Sequence, residues 1–183
     1  ILLVGGATGQ IGDPKQQGER KMLSLETTNE NARKLAHQVE TLFGFHTIVN
    51  NLDWTKNLSV IDFLRFYGKE FNVNTMINKE TVKARLDSGI SYTEFSYQIL
   101  QAMDWYHLFK TMNCEVQIGG QDQWGNMTAG TELIRKKEGS ETKVYAMTIP
   151  LILKPDGTKF GKSEAGKSVW LDKDKTSPYE FYQ

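Results

Sequence analysis

Tyr97, Gln101 and Asp104 recur at i, i+4 and i+7 within a stretch that reads as a long helix over residues 93–111. That spacing puts a phenol, an amide and a carboxylate along one helix face, where they could line a polar pocket. The wet side of an amphipathic helix would look the same. A second candidate is the glycine-rich stretch GGATGQIGDP at 5–14, which follows the apolar run Ile1-Leu2-Leu3-Val4. Glycines let a backbone approach a ligand closely, and exposed N–H groups suit an anion. The stretch lacks a GxGxxG pattern and no helix is expected to open on it, so a plain strand exit fits as well. A third is QIGGQDQWGN at 117–126, where Asp122 could accept hydrogen bonds from sugar hydroxyls and Gln123 could bond a carbonyl or phosphate. An N-cap aspartate among solvated polar residues explains it equally. A fourth is Lys159-Phe160-Gly161-Lys162-Ser163, whose lysines could meet phosphates gathering negative charge. Solvated lysines are the plainer alternative.

Residues 161–168, GKSEAGKS, match the letters of a phosphate-binding P-loop. That motif needs a strand before it and a helix opening on it. Here a lysine-rich loop precedes and the strand-like Val169-Trp170-Leu171 follows, which argues against it.

The elements that must hold these groups alternate. Strands are expected at residues 1–4, 46–49, 115–118 and 146–153, the last interrupted by Pro150. Helices are expected at 29–43 with Gly44 as C-cap, from the Ser59–Asp62 capping pair to Gly68, at 78–89, 93–111 and 122–137, and from Ser177-Pro178 onward. The strands are apolar runs alternating with helices, which predicts an α/β fold with a mostly parallel sheet and helices on both faces. Ligands bind beyond the carboxyl ends of such strands. The loops at 5–13, 50–54 and 119–126 would crowd that edge.

Composition bounds the answer. The 183 residues carry 22 basic and 22 acidic groups, so bulk charge points to neither nucleic acid nor membrane. A single cysteine, Cys114, excludes an intrachain disulfide and suits a reducing compartment. With His37, His46 and His107 scattered, a zinc cluster is not expected. No apolar run reaches the roughly 20 residues of a membrane span.

Taken in order, the stretches GGATGQIGDP, NNLDW (50–54), TEFSYQILQAMD (93–104), QIGGQDQWGN, TIPL (148–151), DGTKFGKS (156–163) and DKTSPYEFYQ (174–183) resemble the catalytic domain of bacterial-type tyrosyl-tRNA synthetases, a class I family. The resemblance implies a Rossmann-like fold and a two-step reaction: ATP and tyrosine form tyrosyl-adenylate, and tyrosine then passes to its tRNA. It implies that Asp13, Tyr97 and Gln101 hold the substrate amino group and that Asp104 accepts its phenol hydrogen. Gln123 would orient the carboxylate, Gly120 and Asp122 would hold the ribose, and Thr8, Asn51 and Gln117 would line the pocket. Lys159, Lys162 and Ser163 match the KMSKS-type loop that stabilises the leaving pyrophosphate.

The substrate carboxylate is the nucleophile in that chemistry, so catalysis rests on positioning and charge. Mg2+ is implied only as the counter-ion of ATP, with no protein-ligated metal. A homodimer is implied, with residues 91–95 near its contact, in bacterial cytoplasm or an organelle matrix. Lys79, Arg135 and Lys136 are candidates for the tRNA acceptor arm, and solvated helix faces explain them equally.

The sequence departs from the pattern at Lys15-Gln16-Gln17-Gly18, where relatives often carry more lysines, although Arg20 remains, and at Met103 in place of a tyrosine. The resemblance places the HIGH-type ATP signature before Ile1 and the anticodon-recognising region after Gln183. Residues 1–183 are thus expected to be the central and C-terminal part of the catalytic domain, inactive alone. The alternatives are a tryptophanyl-tRNA synthetase-like enzyme, a non-catalytic RNA-binding relative, and a P-loop NTPase using Lys167.

Overall fold

The computed structural model describes residues 1–14, 18, 21–44, 47–153 and 170–182. The first apolar run forms β1 (Leu2–Val4), and a short helix α1 (Thr8–Ile11) opens directly on the glycine-rich loop. No helix was expected there. It forms because Gly9 N–H reaches the Gly5 carbonyl and Gly12 N–H the Thr8 carbonyl, while Gln10 Nε2 ties back to the Gly6 carbonyl.

Helix α2 (Leu25–Phe43) starts where Ser24 Oγ accepts from Thr27 N–H, and it closes at Gly44 with φ 64°. A left-handed residue at that place favours glycine, as the C-cap expectation required. Strand β2 (Ile48–Asn50) leads into α3 (Leu52–Thr55). Ser59 caps α4 (Val60–Asp62) by accepting from Asp62 N–H, and the helix widens into a π turn over Phe63–Tyr67 and tightens over Gly68–Glu70.

The helix expected at 78–89 is shortened to α6 (Glu80–Lys83), and a further short helix that was not expected, α5 (Val73–Ile77), precedes it. Asn72 starts α5 by accepting from Asn74 and Thr75 N–H, and the extended backbone at Lys79 separates the two. Helix α7 (Tyr92–Met112) follows, then β3 (Val116–Gly120), a tight turn Gln121–Gln123, α8 (Trp124–Glu138), β4 (Tyr145–Ile149) and α9 (Pro178–Tyr182). Strand β3 runs two residues further than expected because Gly119 and Gly120 pair with Thr148 and Ile149. Strand β4 stops short of Pro150, which has no N–H to give a ladder.

Both strand pairs are parallel: β1 with β2 (Leu2 opposite Ile48, Val4 opposite Asn50) and β3 with β4 (Val116 opposite Tyr145). Each pair is joined through a helix, α2 in the first case and α8 in the second, as parallel strands require. The fold is α/β with parallel strands. Among the described residues these strands form two two-stranded sheets rather than one. Helix α8 covers one face of β3–β4, while Val116, Ile118, Tyr145, Met147 and Ile149 remain exposed.

The core lies between α7 and α8. Ala102, Ala129 and Leu133 form one cluster, and Trp105, Ile134 and Val144 another. Each fully buried leucine or isoleucine there contributes about 2 kcal/mol. Gly130 explains how a glycine survives in mid-helix: a Cβ at that position would lie 2.6 Å from Trp105 Cε3. The indole also donates to the Cys114 carbonyl at 3.0 Å, fixing the end of α7. Buried residues occur all around α7, so this helix runs through the middle of the molecule.

Candidate active site

Every strand of the two pairs except β4 ends in one of the three polar loops, and the loops meet. Asn50 and Asn51, leaving β2, reach the loop after β1: Gly6 N–H donates to Asn50 Oδ1 (3.1 Å) and Ala7 N–H to Asn51 Oδ1 (2.7 Å). The same Asn51 amide donates to Thr8 Oγ1 at 2.9 Å and to Asp104 Oδ2 at 2.8 Å. Asn51 is wholly buried, so one carboxamide ties β2, α1 and α7 together. The other oxygen of Asp104 accepts from the Trp54 indole at 2.8 Å, and the Trp54 ring stacks on His107 with centroids 4.2 Å apart.

Asp104 is 2% exposed, and its burial pushes the carboxyl up to about 6 against the opposing pull of the Asn51 and Trp54 hydrogen bonds. A carboxylate oxygen accepts more than one hydrogen bond, so both partners leave acceptor capacity for a further donor. A wet helix face is therefore not what Asp104 occupies. Tyr97 and Gln101, on the same side of α7, are half-buried. Burial also pushes His107 down.

The loop after β1 reaches the loop after β3 as well. Gln123 Nε2 donates to Asp13 Oδ2 (2.9 Å), Asn126 Nδ2 donates to Asp13 Oδ1 (3.1 Å), and the same Asn126 group donates to Gln123 Oε1 (3.2 Å). Asp13, Asp122 and Asn126 line a cleft of about 840 Å3 together with Lys79, Trp124 and Thr148. That volume admits a nucleotide-sized ligand. Lys79 donates to the Gly125 carbonyl, and burial pushes its ammonium down to about 8, opposed by Glu132 and Asp13. Gln117 on β3 has a buried Oε1 with no hydrogen-bond partner among the described residues.

A family model described as tRNA synthetases class I (W and Y) matches residues 1–183. The chain belongs to that family. It is similar to the tyrosine–tRNA ligase of Listeria monocytogenes serotype 4a (strain HCC23), 58% identical over 189 aligned positions that take in 100% of this chain and 45% of that protein. The tyrosine–tRNA ligase of Limosilactobacillus reuteri (strain DSM 20016) is 56% identical over 186 positions, with 100% and 44% covered. The chain thus spans less than half the length of these curated relatives. Among solved structures, a C-terminally truncated mitochondrial tyrosyl-tRNA synthetase from Aspergillus nidulans superposes with a TM-score of 0.77 at 29% identity, covering 98% of this chain and 56% of that one. The corresponding Coccidioides posadasii enzyme gives 0.69 at 29% identity, with 98% and 55% covered. The Rossmann-like architecture that the resemblance implied is the architecture of this family.

Within that frame, the structure brings Thr8, Asn51 and Asp104 into one hydrogen-bonded group and Asp13 and Gln123 into another. Gly120 ends β3 and Asp122 lies in the turn after it. Lys159, Lys162 and Ser163 lie outside the described residues, as do Lys15, Arg20, the turn at Asp156-Gly157 and the P-loop-like stretch with Lys167. Of the acceptor-arm candidates, Lys79 is committed to the Gly125 carbonyl and Lys136 to the Glu70 carbonyl.

The residue-type reading missed Trp54 and Asn126. Both stand inside the quoted stretches NNLDW and QIGGQDQWGN. An indole N–H three residues after a buried asparagine was the available signal for Trp54. Among the described residues no cluster of His, Cys, Asp or Glu could hold a metal ion, and no helix is long and apolar enough to cross a membrane.

Proposed function

We propose that this chain is the tyrosine- and ATP-handling part of the catalytic domain of a tyrosine–tRNA ligase, its central and C-terminal portion. The observation that carries the reading is Asp104: a buried carboxylate held by two N–H donors, with lone pairs left for a phenol. A purely apolar pocket could not hold that hydroxyl without leaving it unpaired, and a tryptophan side chain would offer only an indole N–H in a different place. The names of the relatives at 56–58% identity agree with tyrosine.

In this reading Tyr97, Gln101 and Asp13 hold the substrate ammonium. Gln123 donates one amide N–H to Asp13 and has a second for the substrate carboxylate. The carboxylate then attacks the α-phosphate of ATP, forming the acyl–phosphate bond as the bond to pyrophosphate breaks. Gly120 and Asp122 hold the ribose at the mouth of the cleft. Thr8 and Asn51 hold Asp104 in place, and Gln117 Oε1 accepts from the bound tyrosine or adenylate. Lys159, Lys162 and Ser163 meet the leaving pyrophosphate, and ATP carries its own Mg2+. None of these steps needs a protein nucleophile.

The activated tyrosine then passes to tRNA(Tyr), with Arg135, in the last turn of α8, the remaining acceptor-arm candidate. The protein acts as a homodimer in bacterial cytoplasm or an organelle matrix. Support for a second copy comes from the exposed apolar side chains Val60, Ile61, Leu64 and Phe66, together with Tyr92 in the segment 91–95.

The test is ATP–pyrophosphate exchange by the full-length protein with tyrosine and with tryptophan. Exchange with tyrosine alone supports the reading. Exchange with tryptophan alone, or RNA binding without exchange, overturns it.

A further inference from the structure

A buried ion pair stands outside everything the proposed chemistry uses. Arg85 and Glu94 are 5% and 1% exposed at their side chains, with Arg85 Nη1 3.0 Å from Glu94 Oε2. Ser91 Oγ accepts from Glu94 N–H, so Glu94 is fixed in the first turn of α7. Arg85 does more than neutralise Glu94. Its Nη1 also donates to the Gly18 carbonyl at 2.7 Å and its Nη2 to the Gly89 carbonyl at 3.1 Å.

Gly89 lies in the turn between α6 and α7, so that bond closes the local hairpin. Gly18 is different: it is 67 residues away in sequence and only five beyond Asp13. Asp13 itself is held at the other side of the site by Gln123 and Asn126. Asp13 is therefore held against α8, and Gly18 is held by the Arg85 fork. A planar guanidinium can serve a carboxylate and two carbonyls at once because its donors point in fixed, diverging directions.

Burying two charges is costly, and an apolar pair of similar volume would hold a core as well. Stability alone therefore does not account for the pair, whereas the reach to Gly18 does. We infer that Arg85, oriented by Glu94, is a positioning residue for Asp13: it holds Gly18, five positions along the chain from the ammonium-binding carboxylate. This inference rests on the reading of Asp13 given above as a tyrosine ligand.

The test uses the full-length protein and two variants chosen to stay folded. Arg85→Lys keeps the charge beside Glu94 but cannot span Gly18 and Gly89 together. Arg85→Met combined with Glu94→Leu removes both charges and leaves apolar bulk. The expected result in both is a KM for tyrosine raised about 10-fold or more, with kcat changed far less and thermal unfolding cooperative. Amide hydrogen exchange in peptides spanning residues 9–18 should also accelerate. That readout does not depend on activity. If wild-type protein shows no tyrosine-dependent exchange with pyrophosphate, the functional reading fails, and the hydrogen exchange alone decides whether Arg85 holds the segment. A folded variant of either kind with wild-type hydrogen exchange over residues 9–18 overturns the inference, as does an unchanged tyrosine KM where the enzyme is active.

Discussion

Asp13 Oδ2 accepts a hydrogen bond from Gln123 Nε2 at 2.9 Å, joining the loop after β1 to the turn after β3 across 110 positions of sequence. The two groups assigned to opposite ends of the substrate backbone are thus each other's partners. A carboxylate oxygen accepts more than one hydrogen bond and a glutamine amide carries two N–H donors, so Asp13 can take a bound ammonium and Gln123 can reach the substrate carboxylate with this bond kept.

Gln123→Ala removes the amide and keeps the Asn126 bond to Asp13. The pyrophosphate-exchange kcat/KM is expected to fall about 100-fold, a typical cost of losing one well-placed donor at a reacting centre. Steady-state exchange kinetics check this, with circular dichroism to establish folding. A value within twofold of wild type would take Gln123 out of the reaction.

Asp104→Asn leaves one acceptor where two N–H donors now converge, and it sets an NH2 against one of them. Discrimination for tyrosine over phenylalanine should drop, because the partner that makes the missing hydroxyl costly has been weakened. Parallel exchange assays with the two amino acids give the ratio. Equal ratios in wild type and variant would remove Asp104 from the specificity role.

The raised carboxyl of Asp104 also predicts a pH dependence of stability. Its folded value of about 6 stands above the ordinary 3.8, so the folded state binds the proton more tightly than the unfolded chain. The contribution is fully present below pH 4 and is lost as pH rises through about 6, a change of about 3 kcal/mol. Urea unfolding of wild type and Asp104→Asn between pH 4 and 7 should show this slope in wild type and its absence in the variant. Parallel curves would contradict it.

Trp54→Phe keeps a ring against His107 but deletes the N–H that favours the charged form of Asp104. The Asp104 midpoint is expected to move further up. Carboxyl carbon NMR of labelled aspartate follows it directly, and no movement would mean that burial alone sets the value.

Gly130→Ala places a methyl group 2.6 Å from Trp105 Cε3, between two helices whose packing forms the core. Overpacking at such a contact costs about 1–3 kcal/mol, which outweighs the gain in helix propensity. The urea midpoint reports it, and an unchanged or higher midpoint would show that Trp105 yields without cost.

Much of this molecule can be read along the chain, because local chemistry fixes it. Ser24, Ser59 and Ser91 start helices, Gly44 ends one, and Pro150 stops a strand, each through the backbone of its immediate neighbours. The order of apolar runs and helices was enough to predict parallel strands and to place three polar loops at their carboxyl ends. The motif series was enough to point to the family.

Other features depend on groups distant in sequence. The spacing of Tyr97, Gln101 and Asp104 was equally compatible with a solvated face. Only the packing of α1 and α3 against α7 buries Asp104 and delivers the Asn51 and Trp54 donors to its two oxygens. Nor does anything near Arg85 in sequence announce that its fork reaches Gly18. The sequence by itself determined the longer elements, their order and the residue types offered to a site, since propensities, caps and periodicities act within a few residues. The tertiary structure decided which carboxylate is buried, which amide holds it and which segment is pinned, since desolvation and hydrogen-bond pairing act through space.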